Sequence, residues 1–335
     1  MTRWIYSTLA LITCATLVSM MGCAVAGDPW AGDEGKSHVV VTIAPLESFV
    51  RAVGGDRVAV RCLCTSTGPH HYKPDTRDAH LLSKAQLFLG VGLTLDESFA
   101  DVMYRTARKP GLPYVKLGEK LPESSLLEMK HECCKHGEEG HTHKHDKWDP
   151  HVWLGIPEAI EMVERIRSEL TKIDPDGESV YQANATAYTA KLNGVHEEGK
   201  KLLAGRPIRR IVSFHEALGY LAKSFDLEIA DVIEQGPGDE PTQGHLTDLV
   251  KVCSDPKKPI AAITVEPQYA GSSSATIIQR ELARVKVTLP LATIDPMETA
   301  EVSDLAREGG DWYIERMRQN LASLSKALPA KLAVP

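Results

Sequence analysis

The first half of the chain alternates between short hydrophobic runs and amphipathic stretches. Residues 39–43 are a β-branched run, which is typical of a strand buried on both faces. A helix is predicted from Pro45 to Gly54 and Gly55, because helices favour proline at their start and glycine at their end. Further strands are predicted at 58–64, 87–91 and 114–117, and further helices at 75–85 and 96–108. Strands that alternate with helices predict a parallel α/β sheet.

The same alternation returns in the second half, beyond two long helical patterns. The first of these covers residues 157–173 and the second covers 178–203, which at 1.5 Å per residue is about 39 Å long. A helix of that length can bridge two lobes. Strands are predicted after it at 210–214, 228–233, 260–265 and 285–289. The pattern as a whole predicts an α/β fold with two lobes on either side of long helices.

The chain begins with the pattern of an export signal. Arg3 precedes an apolar run over residues 4–21, and no second apolar run of membrane-spanning length follows. Two cleavage sites are open: a lipobox that makes Cys23 the lipidated first residue, which we favour, and an A-x-A site that ends at Ala26. We therefore expect a signal peptide over 1–22, a lipidated tether over 23–37, and a location outside the cytoplasm, on the periplasmic or cell-surface side.

Composition narrows the class of protein. The 335 residues suffice for about two domains, and 43% hydrophobic with 25% charged residues is ordinary for a globular chain. A net charge of −7 leaves no excess of basic residues to neutralise phosphates, so a nucleic-acid binder is excluded. Of seven cysteines, Cys14 lies in the signal and Cys23 is the expected lipid site. Five cysteines remain, and an odd number cannot form a complete set of disulfides within one chain.

Three histidines lie where a fold of this type places its ligands. Crevices in parallel α/β sheets lie beyond the carboxyl ends of the strands. His70 follows the second strand, His151 stands at the start of the helix at 157–173, and His215 directly follows the strand at 210–214. A fourth candidate, Asp295, lies just beyond the last predicted strand. A lone histidine is more often structural, but three in such positions indicate a metal site.

A second group of histidines is concentrated in one polar segment, the loop at 131–147. Its members are His131, His136, His141, His143 and His145. Such a loop is a flexible chelator that raises the local metal concentration. The alternative is a solvated insertion whose histidines are incidental.

These residues, taken together, resemble the solute-binding proteins of metal-uptake ABC transporters, which capture zinc or manganese outside the cytoplasmic membrane. The segments that carry the resemblance are Pro69-His70-His71-Tyr72, Asp149-Pro150-His151-Val152-Trp153, Phe214-His215-Glu216-Ala217-Leu218-Gly219-Tyr220, Val265-Glu266-Pro267-Gln268 and Ile294-Asp295-Pro296. With the order of elements, they cover about residues 38–328. The resemblance implies two Rossmann-like lobes joined by one long rigid helix, with the metal between them. On this basis the lobes cover 38–176 and 205–335, and the linking helix covers 177–204.

The resemblance also implies ligands and partners. It gives the ligand role to His70, His151 and His215, with Asp295 as a fourth, carboxylate ligand. In this family a histidine at the third position accompanies zinc and a glutamate accompanies manganese, which agrees with the preference of Zn²⁺ for imidazole. The implied function is high-affinity zinc capture by a monomer, not an enzyme, which delivers the ion to an ABC permease in the membrane.

Alternative functions remain open from the sequence. They are uptake of manganese or another divalent metal, a surface adhesin of the same family and, less favoured, a zinc-dependent hydrolase. His215-Glu216 begins like the zinc-protease motif HExxH, but Gly219 stands where the second histidine is required.

Overall fold

The computed structural model describes residues 27–129, 147–234, 241–269 and 273–331, which form two lobes with one four-stranded parallel sheet each. The strands of the first lobe lie in the order β2-β1-β3-β4. They are β1 (Ser37–Ile43), β2 (Val58–Cys64), β3 (Leu87–Gly90) and β4 (Tyr114–Lys116). The helices of this lobe are α1 (Ala44–Gly54), α2 (Thr76–Lys84), α3 (Glu97–Ala107) and α4 (Ile156–Ile173).

The second lobe repeats this topology, with the strand order β6-β5-β7-β8. Its strands are β5 (Arg210–Ser213), β6 (Glu228–Val232), β7 (Ala262–Val265) and β8 (Leu291–Thr293). Its helices are α6 (Gly219–Ser224), α7 (Gln243–Ser254), α8 (Ser273–Arg284), α9 (Val302–Glu308) and α10 (Trp312–Ala327). All pairings within both sheets are parallel, so the carboxyl ends of the strands in each lobe share one edge. The predicted fold class is confirmed.

Helix α5 (Glu178–Leu203) joins the lobes and packs on both of them. It contacts α1 and α4 from the first lobe and α10 from the second. At Gly199 the contact is so close that a Cβ atom would lie 2.3 Å from Phe225 and 2.8 Å from Leu321. The connection between the lobes is therefore supported along its length by tertiary packing.

The strand predicted at 285–289 is wrong, because these residues directly follow helix α8 and the first of them close its end. The amide of Lys286 donates to the carbonyl of Ala283, and that of Val287 donates to Leu282. Lys286 has a left-handed φ of 62°. Backbone groups engaged in closing a helix cannot also pair in a sheet, so β8 begins later, at Leu291.

Part of the predicted tether over 23–37 is folded onto the first lobe. The Trp30 side chain is 2% exposed, and its indole stacks on the His38 ring with centroids 4.4 Å apart. The Arg61 guanidinium covers the Trp30 ring at 5.0 Å and binds Asp33 at 2.6 Å. Burial of a large aromatic side chain holds this segment in place.

Several predictions concern residues outside the described part of the chain. These are the export signal, the lipidation site Cys23, and the loop histidines His131, His136, His141, His143 and His145. Among the described helices, none combines the length and apolar character needed to cross a bilayer.

Candidate metal centre

The structure brings the three predicted histidines together at the carboxyl edges of the two sheets. His70 lies in the loop after β2, His151 in the short turn before α4, and His215 in the loop after β5. The carboxylate of Glu298, which follows β8, completes the group. One ligand atom from each of these four residues lies within 4.8 Å of the others.

The three imidazoles point the same nitrogen at one carboxylate oxygen. The Nε2 atoms of His70, His151 and His215 lie 3.3, 3.1 and 3.5 Å from Oε1 of Glu298. His215 Nε2 is buried and makes no hydrogen bond within the described residues. Three imidazole nitrogens and one carboxylate oxygen match the four-coordinate ligand set that Zn²⁺ prefers. These residues therefore fit a zinc ion.

The other nitrogen of two of these rings is held by a second carboxylate. Asp149 Oδ1 lies 2.8 Å from Nδ1 of His151. Glu266 contacts Nδ1 of His215, and its other oxygen accepts a hydrogen bond of 2.7 Å from Gln268 Nε2. A carboxylate that accepts from Nδ1–H fixes the tautomer and the ring orientation, and it leaves Nε2 for an ion.

Negative charge around the rings shifts the pKa values of the group. Burial opposes the charged imidazole, but hydrogen bonds to Asp149 and Glu298 outweigh it and raise the pKa of His151 to about 9. Burial likewise opposes the charged form of His215, but its contact with Glu266 and the nearby negative charge of Glu298 raise its pKa to about 10. Burial also acts to raise the pKa of Glu298, but the three imidazoles around its carboxylate hold it well below its usual value. A site with this excess of negative charge stabilises a cation.

Asp295, the predicted fourth ligand, is not part of the group, and Glu298 takes its place. Asp295 Oδ1 accepts the amide of Met297 at 2.7 Å, so this carboxylate closes its own turn. The Asn320 side chain holds the Asp295 backbone with two hydrogen bonds of 2.8 Å. Met297, at a left-handed φ of 62°, then leads to Glu298. The Asp-Pro pair is itself a turn signal, and it was the one clue in the sequence against Asp295 as a ligand.

Trp153 connects the turn that carries Glu298 to the segment that carries His151. Its indole Nε1–H donates to the Pro296 carbonyl at 2.8 Å, and its side chain is fully buried. Its own carbonyl accepts a hydrogen bond of 2.6 Å from the Tyr313 hydroxyl. Candidate ligands from the two lobes are thus linked through buried protein contacts.

Access to the group is from the side of His70. The side chains of His151 and His215 are 4% and 8% exposed, whereas that of His70 is 24% exposed. A cavity of about 310 Å³ adjoins three of the four residues, all except His151, and is lined by Ser66, Thr67 and His71 from the loop after β2. The second lobe lines its other wall with Glu234 and Gln268. Solvent and a small ion can reach the site through this cavity.

Comparisons with known proteins agree with this arrangement. The family model described as "ZnuA: Zinc-uptake complex component A periplasmic" matches residues 39–327. "Zinc-binding lipoprotein AdcA" of Streptococcus pneumoniae serotype 4 is 30% identical over 297 residues, which are 88% of this chain and 56% of that protein. "Zinc-binding protein AdcA" of Streptococcus pyogenes serotype M1 is 29% identical over 300 residues, which are 87% and 56% of the two chains. The chain thus spans about half the length of the curated relatives it matches.

Solved structures share the fold. The Pseudomonas aeruginosa solute-binding protein FpvC in complex with Ni²⁺ has a TM-score of 0.72 at 25% identity, covering 89% of this chain and 100% of that one. Zn(II)-bound AdcA from Streptococcus pneumoniae has a TM-score of 0.68 at 25% identity, covering 89% and 58%. Because the family model matches most of the chain, the chain belongs to the family of zinc-uptake complex component A, the periplasmic ZnuA family.

Proposed function

We propose that this protein binds one zinc ion between its two lobes and delivers it to an ABC-type permease for uptake. The observation that carries the proposal is the convergence of His70, His151, His215 and Glu298, from four separate loops, with ligand atoms within 4.8 Å of one another. Zinc is the cargo of this site, and the ligands from both lobes would hold it as a cross-link.

The donor set favours zinc over manganese. Imidazole nitrogen suits Zn²⁺, whereas Mn²⁺ prefers sites richer in carboxylate oxygen. Relatives named as zinc-binding proteins support this choice. Copper binds nitrogen ligands at least as tightly as zinc, so selection between these two metals depends on their supply.

The proposed setting of the protein comes from its amino-terminal sequence. Export through the signal at 1–22 and acylation of Cys23 would anchor a monomer on the outer face of the cytoplasmic membrane, beside its permease. Cleavage after Ala26 would release it instead, and mass spectrometry of the mature protein separates the two. The loop at 131–147 would serve as an accessory site of metal capture.

Metal analysis tests the site. We expect protein purified without added metal to bind one zinc ion tightly, with zinc displacing manganese in competition. His215→Ala should weaken zinc binding sharply, whereas His245→Ala, in α7 and outside the group, should leave it unchanged. Tight zinc binding by His215→Ala would show that the site is elsewhere, and preferential binding of manganese would reject zinc as the cargo.

Two further measurements test the loop and the delivery step. Deletion of residues 131–147 should reduce the number of weakly bound zinc ions and keep the tight site; loss of the tight site would contradict an accessory role. A strain that lacks the protein should accumulate less zinc and recover with added zinc. Normal zinc accumulation together with lost attachment to surfaces would support an adhesin instead.

A further inference from the structure

Helix α6 belongs to the second lobe, where it contacts β6, and it also packs on the first lobe. It begins four residues after His215 and contacts α4 and the turn at Val152–Leu154, which directly follows His151. Its first residue, Gly219, approaches Asp149 so closely that a Cβ atom would lie 2.7 Å from Asp149 Oδ2. The segment that follows one metal ligand is thus in contact with the segment that carries another.

The hydroxyl of Tyr220 lies at the centre of this contact. The Tyr220 side chain is fully buried, and its hydroxyl accepts the amide of Leu127 at 3.0 Å and donates to the carbonyl of Asp149 at 3.1 Å. Asp149 in turn contacts both the backbone amide and the ring Nδ1 of His151, at 2.9 and 2.8 Å. One hydroxyl therefore connects the helix after His215 to the residue that orients His151.

Two more residues of α6 strengthen the same contact. Ser224 Oγ accepts the amide of Ile156 at 3.1 Å. Lys223 Nζ binds Glu158 at 2.9 Å and donates to the carbonyl of Ser125 at 2.7 Å. These bonds run between the two lobes and involve no metal ligand, so they hold the two segments together without any ion.

We propose that Tyr220 is a positioning residue that sets the distance between His151 and His215 before zinc binds. This inference rests on the zinc site proposed above. It adds that the Tyr220 hydroxyl holds two of the four candidate ligands, His151 and His215, in place before the ion arrives. Rings that are already aligned bind an ion without the entropic cost of bringing two loops together. His70, which lies in an exposed loop, would then complete the site after the ion arrives.

Tyr220→Phe tests the proposal because it removes the hydroxyl and keeps the ring. We expect the zinc dissociation constant to rise about 10- to 100-fold, the range typical for groups that orient metal ligands. We also expect the visible absorption spectrum of the Co²⁺-substituted protein to change, because that spectrum reports ligand geometry. Tyr104→Phe is the matched control: its hydroxyl donates to the Leu112 carbonyl at 3.1 Å within the first lobe, and its loss should change neither zinc affinity nor the Co²⁺ spectrum.

The outcomes separate a positioning role from a purely structural one. A lower melting temperature with unchanged zinc affinity and Co²⁺ spectrum would overturn the proposal and leave the zinc site intact. If Tyr220→Phe does not fold, Gly219→Ala displaces the same helix from Asp149 and should weaken zinc binding in the same way; unchanged affinity there would also overturn it. Failure of the unmodified protein to bind zinc would reject the proposed function, and this inference with it.

Discussion

Glu298→Gln is the substitution that most directly separates the observed site from the one expected from sequence. The change keeps the size of the side chain and removes its negative charge. Asp295→Asn is the matched control, because an asparagine oxygen can still accept the Met297 amide that Asp295 binds at 2.7 Å. We expect Glu298→Gln to weaken zinc binding and Asp295→Asn to leave it nearly unchanged.

The expected magnitude follows from the contacts of Glu298. Its Oε1 lies 3.1 to 3.5 Å from three imidazole nitrogens. A hydrogen bond to a charged group contributes roughly 1.5–3 kcal/mol, and we take this as a lower limit for losing a charged ligand. Zinc affinity should therefore fall by at least about 10- to 150-fold.

The pH dependence of this loss gives a second, independent check. The negative charge of Glu298 helps to raise the pKa values of His151 and His215 above their usual value. Glu298→Gln lowers both pKa values, so the variant has fewer protons to displace and its affinity falls less steeply as the pH is lowered. The difference from the unmodified protein should thus be larger at pH 8.5 than at pH 6.5.

Competition titrations with a zinc-binding dye at these two pH values measure both effects. An equal loss of affinity in Glu298→Gln and Asp295→Asn would refute the assignment of the carboxylate. A loss in Asp295→Asn alone would restore the ligand expected from sequence. A pH-independent ratio of affinities would refute the argument from charge.

Three other predictions follow from the packing and charge of the molecule. Zinc binding at pH 7.5 should release about two protons, because pKa values of about 9 for His151 and about 10 for His215 keep both rings protonated there and a bound imidazole must be neutral. Zinc affinity should therefore fall as pH falls. Calorimetry in buffers of different ionisation enthalpy measures this proton release, and finding none would contradict the prediction. Gly199→Ala should lower the free energy of unfolding by about 1–3 kcal/mol, because the added methyl group clashes with neighbouring side chains. Gly194→Ala, in open space on the same helix, should raise the free energy of unfolding by up to about 1 kcal/mol. Equal effects of the two substitutions in denaturant titrations would argue against close packing of α5. Trp30→Ala should lower the free energy of unfolding by about 3–5 kcal/mol and leave zinc affinity unchanged, and full stability of this variant would mean that the amino-terminal segment adds nothing to the lobe.

The strands and helices were largely predictable because most of the strands are buried on both faces. A continuous β-branched run such as residues 39–43 is typical of a buried strand and of no other element. All five of these residues are buried. The error at 285–289 has the opposite cause. Its alternation of apolar and polar residues is typical of a strand, but the backbone there is engaged in ending α8. The alternation of residue types alone does not show that these amides are used to close the helix before them.

The histidines of the site were predictable and its carboxylates were not. Loops at the carboxyl ends of parallel strands gather at one edge of each sheet, so His70 and His215 were predictable as residues at the ligand-binding edges of their own lobes. The packing of the two lobes then brings these edges together. Whether Asp295 or Glu298 reaches the histidines depends on the left-handed backbone conformation of Met297. The sequence does not predict that conformation, because methionine has no preference for it. Likewise, Glu266 contacts His215 because β7 lies beside β5 in the sheet. The spacing of strands along the sequence does not predict their order in the sheet.

The origin of the four candidate ligands in four separate loops has a consequence for the lifetime of the protein. An unfolded chain holds these groups far apart and offers no chelating pair among them, so this site exists only in the native state. A ligand that binds only the native state stabilises the folded protein by about 4 kcal/mol when the free ligand concentration is a thousand times the dissociation constant. Cargo-loaded molecules would therefore resist proteolysis better than empty ones, and metal supply would set how long each molecule survives.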